Sequence, residues 1–140
     1  MTYGNPSDAK IADILRTTRT IAVVGASTDR FRPVYGVMDF LMSHGYDVFP
    51  VNPTAAGAVV HGEEILADMD DVPVGIDMVD CFRRSEFIPP VVDQAIALGA
   101  KTVWMQLGVV NEAAAEKARA AGITVVMDRC PVIEWSRLRL

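Results

Sequence analysis

The chain has 140 residues, of which 51% are hydrophobic and 22% are charged, and its formal net charge at pH 7 is −5. This length suits a single domain over residues 1–140, and the apolar fraction is too high for a disordered chain. The negative charge argues against general affinity for nucleic acid or an anionic membrane, and no apolar run approaches the roughly 20 residues of a membrane span. Because residues 1–6 contain neither a basic segment nor an apolar stretch, no secretory signal is expected, and the cytoplasm is the expected location.

Strand and helix patterns alternate from one end of the chain to the other. Apolar periodicity and capping residues predict helices at 8–16, 33–44, 85–98 and 112–121, a short helix near 63–69 and a last helical turn at 134–138. Short continuous apolar runs, typical of parallel strands covered on both faces, predict strands at 20–25, 46–51, 75–82, 101–106 and 123–127. Ser7 is the expected N-cap of the first helix, and Gly45 is expected to end the second.

This alternation predicts an α/β protein in which parallel strands are joined by right-handed crossovers. The expected fold is a Rossmann-like, doubly wound, five-stranded parallel sheet in the order 3-2-1-4-5, with helices on both faces. In open sheets of this kind, ligands bind beyond the carboxyl ends of the strands. The residues that follow each predicted strand are therefore the candidates for a binding site.

The first predicted strand leads into Gly25-Ala26-Ser27, at the position of the phosphate loop of a nucleotide-binding fold. When the pattern G-x-G-x-x-G is aligned from Gly25, its second and third glycines are replaced by Ser27 and Arg30. The loop is longer than in the dinucleotide fingerprint. It carries Arg32 and then Pro33, which suits the first turn of the next helix.

A NAD site has an acidic residue after the second strand, where it holds the ribose 2′-OH, and this chain has Asn52 and Pro53 there instead. The sequence therefore indicates a Rossmann-type binder of a ligand other than NAD. Five of the 13 Lys and Arg residues follow predicted strands in a chain that is acidic as a whole: Arg30, Arg32, Arg83, Arg84 and Arg129. Since arginine makes bidentate hydrogen bonds to phosphate, this grouping favours a polyphosphate ligand.

Simpler roles are open for the same residues. Arg83 and Arg84 could instead pair with Asp80, Glu86 or Asp128, because ion-pair networks are common in proteins. The dipeptide Asn52-Pro53 could be no more than a turn. Their occurrence together, at the ends of neighbouring strands, still favours a binding site.

No arrangement of catalytic residues stands out, so the chain is not expected to be an enzyme. The two histidines and two cysteines are too scattered for a metal site, and no G-x-S-x-G turn or Ser/His/Asp set is present. Cys130 is the one plausible nucleophile, because the neighbouring cation of Arg129 would lower a thiol pKa, but no general base is evident. The predicted strand order places Cys81 and Cys130 about 19 Å apart, by the ~4.8 Å spacing of strands, which excludes a disulfide.

Four motifs resemble a known family: Val24-Gly25-Ala26-Ser27, Pro50-Val51-Asn52-Pro53, Val103-Trp104-Met105-Gln106-Leu107-Gly108 with Asn111-Glu112, and Asp128-Arg129-Cys130. They look like the stand-alone CoA-binding proteins of the YccU-like group, which are similar to the nucleotide-binding domain of the succinyl-CoA synthetase alpha subunit. The resemblance covers nearly the whole chain and implies a CoA-binding Rossmann domain. The phosphohistidine of the synthetase lies in a domain with no counterpart here, so acyl-CoA ligase activity is not implied.

The resemblance also implies roles for individual residues. Gly25, Ala26 and Ser27 would meet the phosphates, with Arg30 and Arg32 beside them. Asn52 and Pro53 would flank the nucleotide, Phe82 and Arg83 would border the adenine, and Gln106 would lie near the path of the pantetheine. Pro33 and Arg84 complete the set of candidate binding residues.

The expected function is to bind coenzyme A or an acyl-CoA without transforming it. The sequence identifies no partner protein. A small NADP-dependent oxidoreductase, with the arginines on the 2′-phosphate, is the first alternative. A protein-interaction module with a degenerate nucleotide site is the second. The lysine that the synthetase has after the second strand is absent, with Thr54, Ala55 and Ala56 in that stretch.

Overall fold

A central sheet of five parallel strands forms the core of the computed structural model, which describes residues 2–140. Met1, part of the predicted domain and of the N-terminal segment examined for a signal, lies outside the described residues. The sheet consists of β1 (Thr20–Val24), β2 (Asp47–Val51), β5 (Met78–Cys81), β6 (Thr102–Met105) and β7 (Thr124–Val126). Two-residue strands, β3 (Val59–Val60) and β4 (Glu63–Glu64), pair with each other as a separate antiparallel hairpin. All pairings in the large sheet are parallel, which confirms the predicted Rossmann-like α/β fold.

The strand order is β2-β1-β5-β6-β7, so the third strand of the sheet along the chain lies next to the first. The predicted order 3-2-1-4-5 places the third strand beside the second, at the edge of the sheet. The structure corrects this position, because the third strand is β5 and lies beside β1. Its physical reason lies at the outer edge of β2, which is already occupied. Leu66 forms a parallel bridge with Val51 there, donates to the carbonyl of Pro50 and accepts from Asn52. With the carboxyl end of that edge occupied by Leu66, β5 pairs with the free side of β1, with Val23 opposite Asp80.

Five helices cover the two faces of the sheet: α1 (Asp8–Thr17), α2 (Pro33–Ser43), α3 (Ile88–Ala97), α4 (Glu112–Ala120) and α5 (Pro131–Arg137). One hydrophobic cluster packs the sheet against α3 and α4, and the other packs it against α1, α2 and α5. The predicted cap is present, since the Ser7 side chain accepts a hydrogen bond from the backbone N–H of Lys10. The two clusters confirm the predicted helices on both faces of the sheet.

Three predicted segments differ from the structure. The stretch at 63–69 is not a helix, because it contains β4 and the start of a single 3₁₀ turn at Met69–Asp71. The predicted helix at 85–98 divides into a 3₁₀ turn, Ser85–Phe87, followed by α3, whose first turn contains proline. The last helical turn is a longer helix, α5, which begins at Pro131.

The N-terminal segment is fastened to the outer edge of β7 by one side chain. The amide of Asn5 donates to the carbonyl oxygen of Met127 at 2.9 Å and accepts from its N–H at 2.8 Å. These reciprocal bonds reproduce the pairing of a neighbouring strand at the carboxyl end of β7.

Asp80 is a buried acid in the middle of the sheet. It lies between Val23 of β1 and Trp104 of β6, and it is 0% exposed. Neither of its carboxylate oxygens has a hydrogen-bond partner within residues 2–140. Burial raises the pKa of the Asp80 carboxyl well above its usual value, so the fold favours the protonated form of this group.

We expect Asp80→Asn to raise the free energy of unfolding at pH 7 by about 1–4 kcal/mol, because each pH unit between the unfolded pKa of Asp80 and its raised folded pKa costs the wild type about 1.4 kcal/mol. In the unfolded chain Asp80 ionises above about pH 3.9, whereas in the folded protein its raised pKa retains the proton to higher pH, so the wild-type protein loses stability as the pH rises from that value. The variant has no such loss. The difference in free energy of unfolding between Asp80→Asn and the wild type, measured by urea unfolding, should therefore shrink toward pH 4.

Asp47→Asn serves as the control, because Asp47 is an exposed acid on the edge strand β2. This control should show no comparable dependence on pH. An advantage of Asp80→Asn that is the same at pH 4 and pH 7 would mean that Asp80 is not held protonated by the fold.

Candidate functional site

Three adjoining cavities open along the carboxyl ends of the strands and together form one cleft. The α3 cavity, about 330 Å³, is lined by residues of β1, β2 and α3. The central cavity, about 450 Å³, and the α2 cavity, about 400 Å³, share Gly25, Arg32, Phe82, Arg83 and Arg84. Because Arg83 lines all three cavities, it marks the middle of the cleft.

The loop after β1 is pressed against the ends of β2 and β5. The N–H groups of Gly25 and Ala26 both donate to the carbonyl oxygen of Val51, at 2.9 and 3.2 Å. Gly25 has a positive φ of 94°, and a Cβ at this position would collide with the backbone carbonyl of Phe82. Only glycine fits there, because both the backbone conformation and the space exclude a side chain.

The structure assigns structural contacts to the residues that were expected to meet phosphate. Ala26 is fully buried, and its N–H is already paired with Val51. The hydroxyl of Ser27 accepts from the N–H of Asp29 at 3.0 Å. Neither residue lines a cavity of the cleft, so their contact with phosphate stays a prediction.

Asn52 connects the loops that follow β1 and β2. Its amide nitrogen donates to the carbonyl oxygen of Ala26 at 2.9 Å. Its amide oxygen accepts from both the N–H and the hydroxyl of Thr54, at 3.0 and 2.8 Å. Asn52 lines the central cavity next to Pro53, and its hydrogen bonds fix the wall of that cavity.

Three arginines converge on the central cavity: Arg32, Arg83 and Arg84. Arg83 lies over the ring of Phe87, with 5.0 Å between the guanidinium carbon and the ring centroid, and no acidic group within residues 2–140 lies within 4.0 Å of it. Arg32 and Arg84 make only long, exposed ion pairs, at 3.8 Å to Asp29 and 3.7 Å to Glu86. Since exposed pairs of this kind contribute little, both guanidinium groups are available to an anion.

The other two arginines after the strands lie elsewhere. Arg30 packs over the exposed ring of Phe31, at 5.2 Å, and lines none of the three cavities. Arg129 forms a 2.5 Å ion pair with the buried carboxylate of Glu134, which also binds Arg137 at 2.8 Å. Burial opposes ionisation of Glu134, but the hydrogen bonds from Arg137 and Arg129 outweigh it and lower the pKa of Glu134.

The α2 cavity has a polar floor beneath apolar walls. Gln106 lines it and is only 5% exposed, and its buried side-chain oxygen has no hydrogen-bond partner within residues 2–140. Val34, Val37 and Val109 provide much of the apolar wall. A buried amide without a partner is costly unless a ligand or water satisfies it, so this floor is suited to a polar group of a ligand.

Cys130 lines the same cavity but lacks the features of a nucleophile. Burial raises the pKa of its thiol, and the neighbouring Arg129 is held by Glu134. The expectation that Arg129 would lower the thiol pKa is therefore wrong. Cys81 lies on the central strand β5 rather than on an edge, so two strand spacings, about 10 Å, separate it from Cys130 instead of four. Both cysteines are free, and they belong to the clusters on opposite faces of the sheet.

Nine of the predicted binding residues line the cleft: Gly25, Arg32, Pro33, Asn52, Pro53, Phe82, Arg83, Arg84 and Gln106. The exceptions are Ala26, Ser27 and Arg30. Three residues that line the α3 cavity were not predicted from the sequence: Asp68, Phe87 and Gln94. Asp68 lies in the irregular stretch after β2, where no periodicity indicated its position. Phe87 follows Arg83 and Arg84 closely in the sequence, so these two predicted binding residues could have indicated that Phe87 also lines the cleft.

Other kinds of site receive no support from the described part of the chain. Residues 2–140 contain no group of three or more His, Cys, Asp and Glu side chains arranged to hold a metal ion. None of the helices within this range is both long enough and apolar enough to cross a membrane.

The fold and cleft define a Rossmann-like α/β protein with a binding cleft at the carboxyl ends of its strands. Residues 19–136 match the family model described as "CoA binding domain", and the chain belongs to that family. The expected resemblance to the stand-alone CoA-binding proteins is confirmed. The protein YneT of Bacillus subtilis (strain 168) is 38% identical over 126 residues, covering 90% of this chain and 92% of YneT.

Solved structures and a ligase subunit extend these similarities. A hypothetical protein from Pyrococcus horikoshii OT3 superposes with a TM-score of 0.92 at 38% identity, covering 99% of this chain and 96% of that one. The alpha subunit of an ADP-forming acetate–CoA ligase I from Pyrococcus furiosus is 25% identical over 95 residues. That match covers 65% of this chain but only 21% of the subunit, so the chain is similar to one part of a much larger protein.

We expect Gly25→Ala to lower the free energy of unfolding more than Gly57→Ala does. Both glycines have a positive φ, at 94° and 88°, so alanine is strained at either position by about 1–2 kcal/mol. A Cβ at position 57 meets nothing within 4 Å, whereas one at position 25 collides with the backbone of Phe82. The collision should add at least about 1 kcal/mol to the loss, measured by urea unfolding. Equal losses for the two variants would mean that the loop moves away from Phe82 easily.

Proposed function

We propose that this protein binds coenzyme A, free or as an acyl-CoA, in the cleft at the carboxyl ends of its parallel strands, and does not transform it. One observation carries the proposal: a central cavity lined by three arginines, all of which it shares with the α2 cavity, adjoins two cavities with largely apolar walls. CoA has the matching order of chemical groups. Its phosphates lie between a nucleobase and the pantetheine arm, which ends in the thiol.

The phosphates are assigned to Arg32, Arg83 and Arg84. These guanidinium groups have weak partners or none among the described acids, so phosphate oxygens can bind them without displacing strong ion pairs. The helix α2 begins beside this cavity, at Pro33, and no side chain caps its N-terminus. The partial positive charge of that helix end adds to the attraction for phosphate.

The pantetheine arm is assigned to the α2 cavity. Its chain carries two amide groups and one hydroxyl group along an otherwise apolar path, and the cavity combines apolar walls with the buried amide of Gln106. Ligand amides can pair with Gln106, whose side-chain oxygen otherwise lacks a partner among the described residues.

A binding role without catalysis agrees with the chemistry of the cleft. Neither His44 nor His61 lines any of the three cavities, and Cys130, which does, has a raised pKa. The two free cysteines suit the reducing cytoplasm as the place of action. The membership of the chain in the CoA-binding domain family supports CoA over other polyphosphates.

CoA should raise the melting temperature of the protein more than NAD or NADP at equal concentration. A ligand that binds only the folded state stabilises it by mass action, and the side chain of Asn52 is occupied by Ala26 and Thr54 instead of holding a ribose. Thermal unfolding at several ligand concentrations measures the difference. A larger shift with NADP would favour the oxidoreductase alternative, and no shift with any of the three would favour a degenerate site.

Replacing Arg32, Arg83 or Arg84 with alanine should weaken CoA binding by about 1–3 kcal/mol for each, the scale of a charge-assisted hydrogen bond. Calorimetric titration measures the affinity, and dephospho-CoA identifies the arginine that binds the 3′-phosphate, because that variant loses little further affinity for it. Arg16→Ala is the matched control, since it removes the same charge from α1. The assignment of the phosphates to these arginines is disproved if the three cleft variants and Arg16→Ala all bind CoA as the wild type does.

A further inference from the structure

The α3 cavity is lined by side chains that suit the faces of a flat aromatic ring. Val51, Met69 and Val91, all buried, form its floor, and Phe87 stands at its side with the Arg83 guanidinium 5.0 Å from the ring centroid. Aromatic rings and guanidinium planes both stack on nucleobases. The cavity meets the central cavity at Arg83, Pro53 and Phe87, so a base placed in it would adjoin the proposed phosphate site.

One edge of this cavity presents hydrogen-bond acceptors. The amide nitrogen of Gln94 donates to a carboxylate oxygen, Oδ1, of both Asp68 and Asp70, the latter at 3.1 Å. An amide nitrogen carries two hydrogens, and both are used in these bonds. The amide therefore cannot flip, because a flip would turn its oxygen toward two carboxylates. Within residues 2–140, Oε1 of Gln94 and Oδ2 of Asp68 accept no hydrogen bond.

We propose that the α3 cavity selects adenine, with Asp68 and Gln94 accepting the hydrogens of its exocyclic amino group. This inference rests on the proposed function and specifies the nucleobase end of the same site. A base with a carbonyl at that position, such as hypoxanthine or guanine, would direct its oxygen at two acceptors and be rejected. The aromatic wall at this end is Phe87, whereas Phe82 lines the central and α2 cavities.

The acidic edge also sets the direction in which the ligand lies. A carboxylate at Asp68 repels phosphate, so the phosphates belong toward Arg32 and Arg84 and the base toward α3. Asp68 has a structural role as well, because its Oδ1 accepts from the N–H of Asp70 and caps the 3₁₀ turn Met69–Asp71. A test must therefore change base selection without removing this cap.

Asp68→Asn meets that requirement. Asparagine keeps an oxygen for the Asp70 N–H and for Gln94, and it places an NH₂ donor at the position of Oδ2, the atom proposed to accept from the base. We expect the wild type to bind CoA at least about tenfold more tightly than the CoA analogue with hypoxanthine in place of adenine. In Asp68→Asn this ratio should fall to about one or below, because a donor now faces the base. Isothermal titration with each ligand gives the ratio.

Asp70→Asn is the matched control. It makes the same chemical change on a side chain that also binds Gln94 but does not line the cavity, so the ratio should stay at its wild-type value. A purely structural role for Asp68 would lower both affinities together and leave the ratio unchanged, which overturns the inference. If the wild type binds CoA and the hypoxanthine analogue equally, adenine selection is wrong while CoA binding stands. If it binds neither, the proposed function fails as well.

Discussion

The carbonyl oxygen of Val51 accepts hydrogen bonds from both Gly25 and Ala26, and the geometry of the cleft depends on this double contact. It fixes the loop after β1 to the end of β2. The absence of a side chain at Gly25 lets the same loop lie against the backbone of Phe82, at the end of β5. Three strand ends are thereby joined at one point. Arg32 and Arg83 share a cavity because the loops that carry them both start there.

The elements that carry the cleft could be predicted because their sequence patterns are local. The apolar run that ends at Val24 and the Pro33 that opens α2 each identify a boundary without reference to the rest of the chain. The strand order could not be predicted in the same way. It depends on the pairing of Leu66 with the outer edge of β2, a contact made by a stretch without periodicity. The same stretch carries Asp68, so the acidic edge of the α3 cavity was not predicted either.

The arginines that follow the strands look alike in sequence, yet burial divides them into two groups. Arg129 and Arg137 bind the buried carboxylate of Glu134, and Arg137 also binds Asp8, so this network ties α5 to α1. If such an arginine bound a ligand instead, the buried carboxylate would be left without its counter-charge, which is strongly unfavourable. These arginines are therefore not available for ligand binding. Arg32 and Arg84 have only exposed pairs, which water and salt already weaken. Burial of the acidic partner, rather than position after a strand, separates structural arginines from those available for binding.

The side chain of Asn5 has a consequence for how this molecule meets other copies of itself. An edge strand offers unpaired backbone groups on which a further chain can assemble, and proteins commonly obstruct such edges. Here the carboxyl end of each outer strand is already bonded, by Asn5 at Met127 and by Leu66 at Pro50 and Asn52. A second copy therefore meets backbone groups that are already bonded at the carboxyl end of each outer strand. This arrangement opposes the use of the sheet as a template for aggregation.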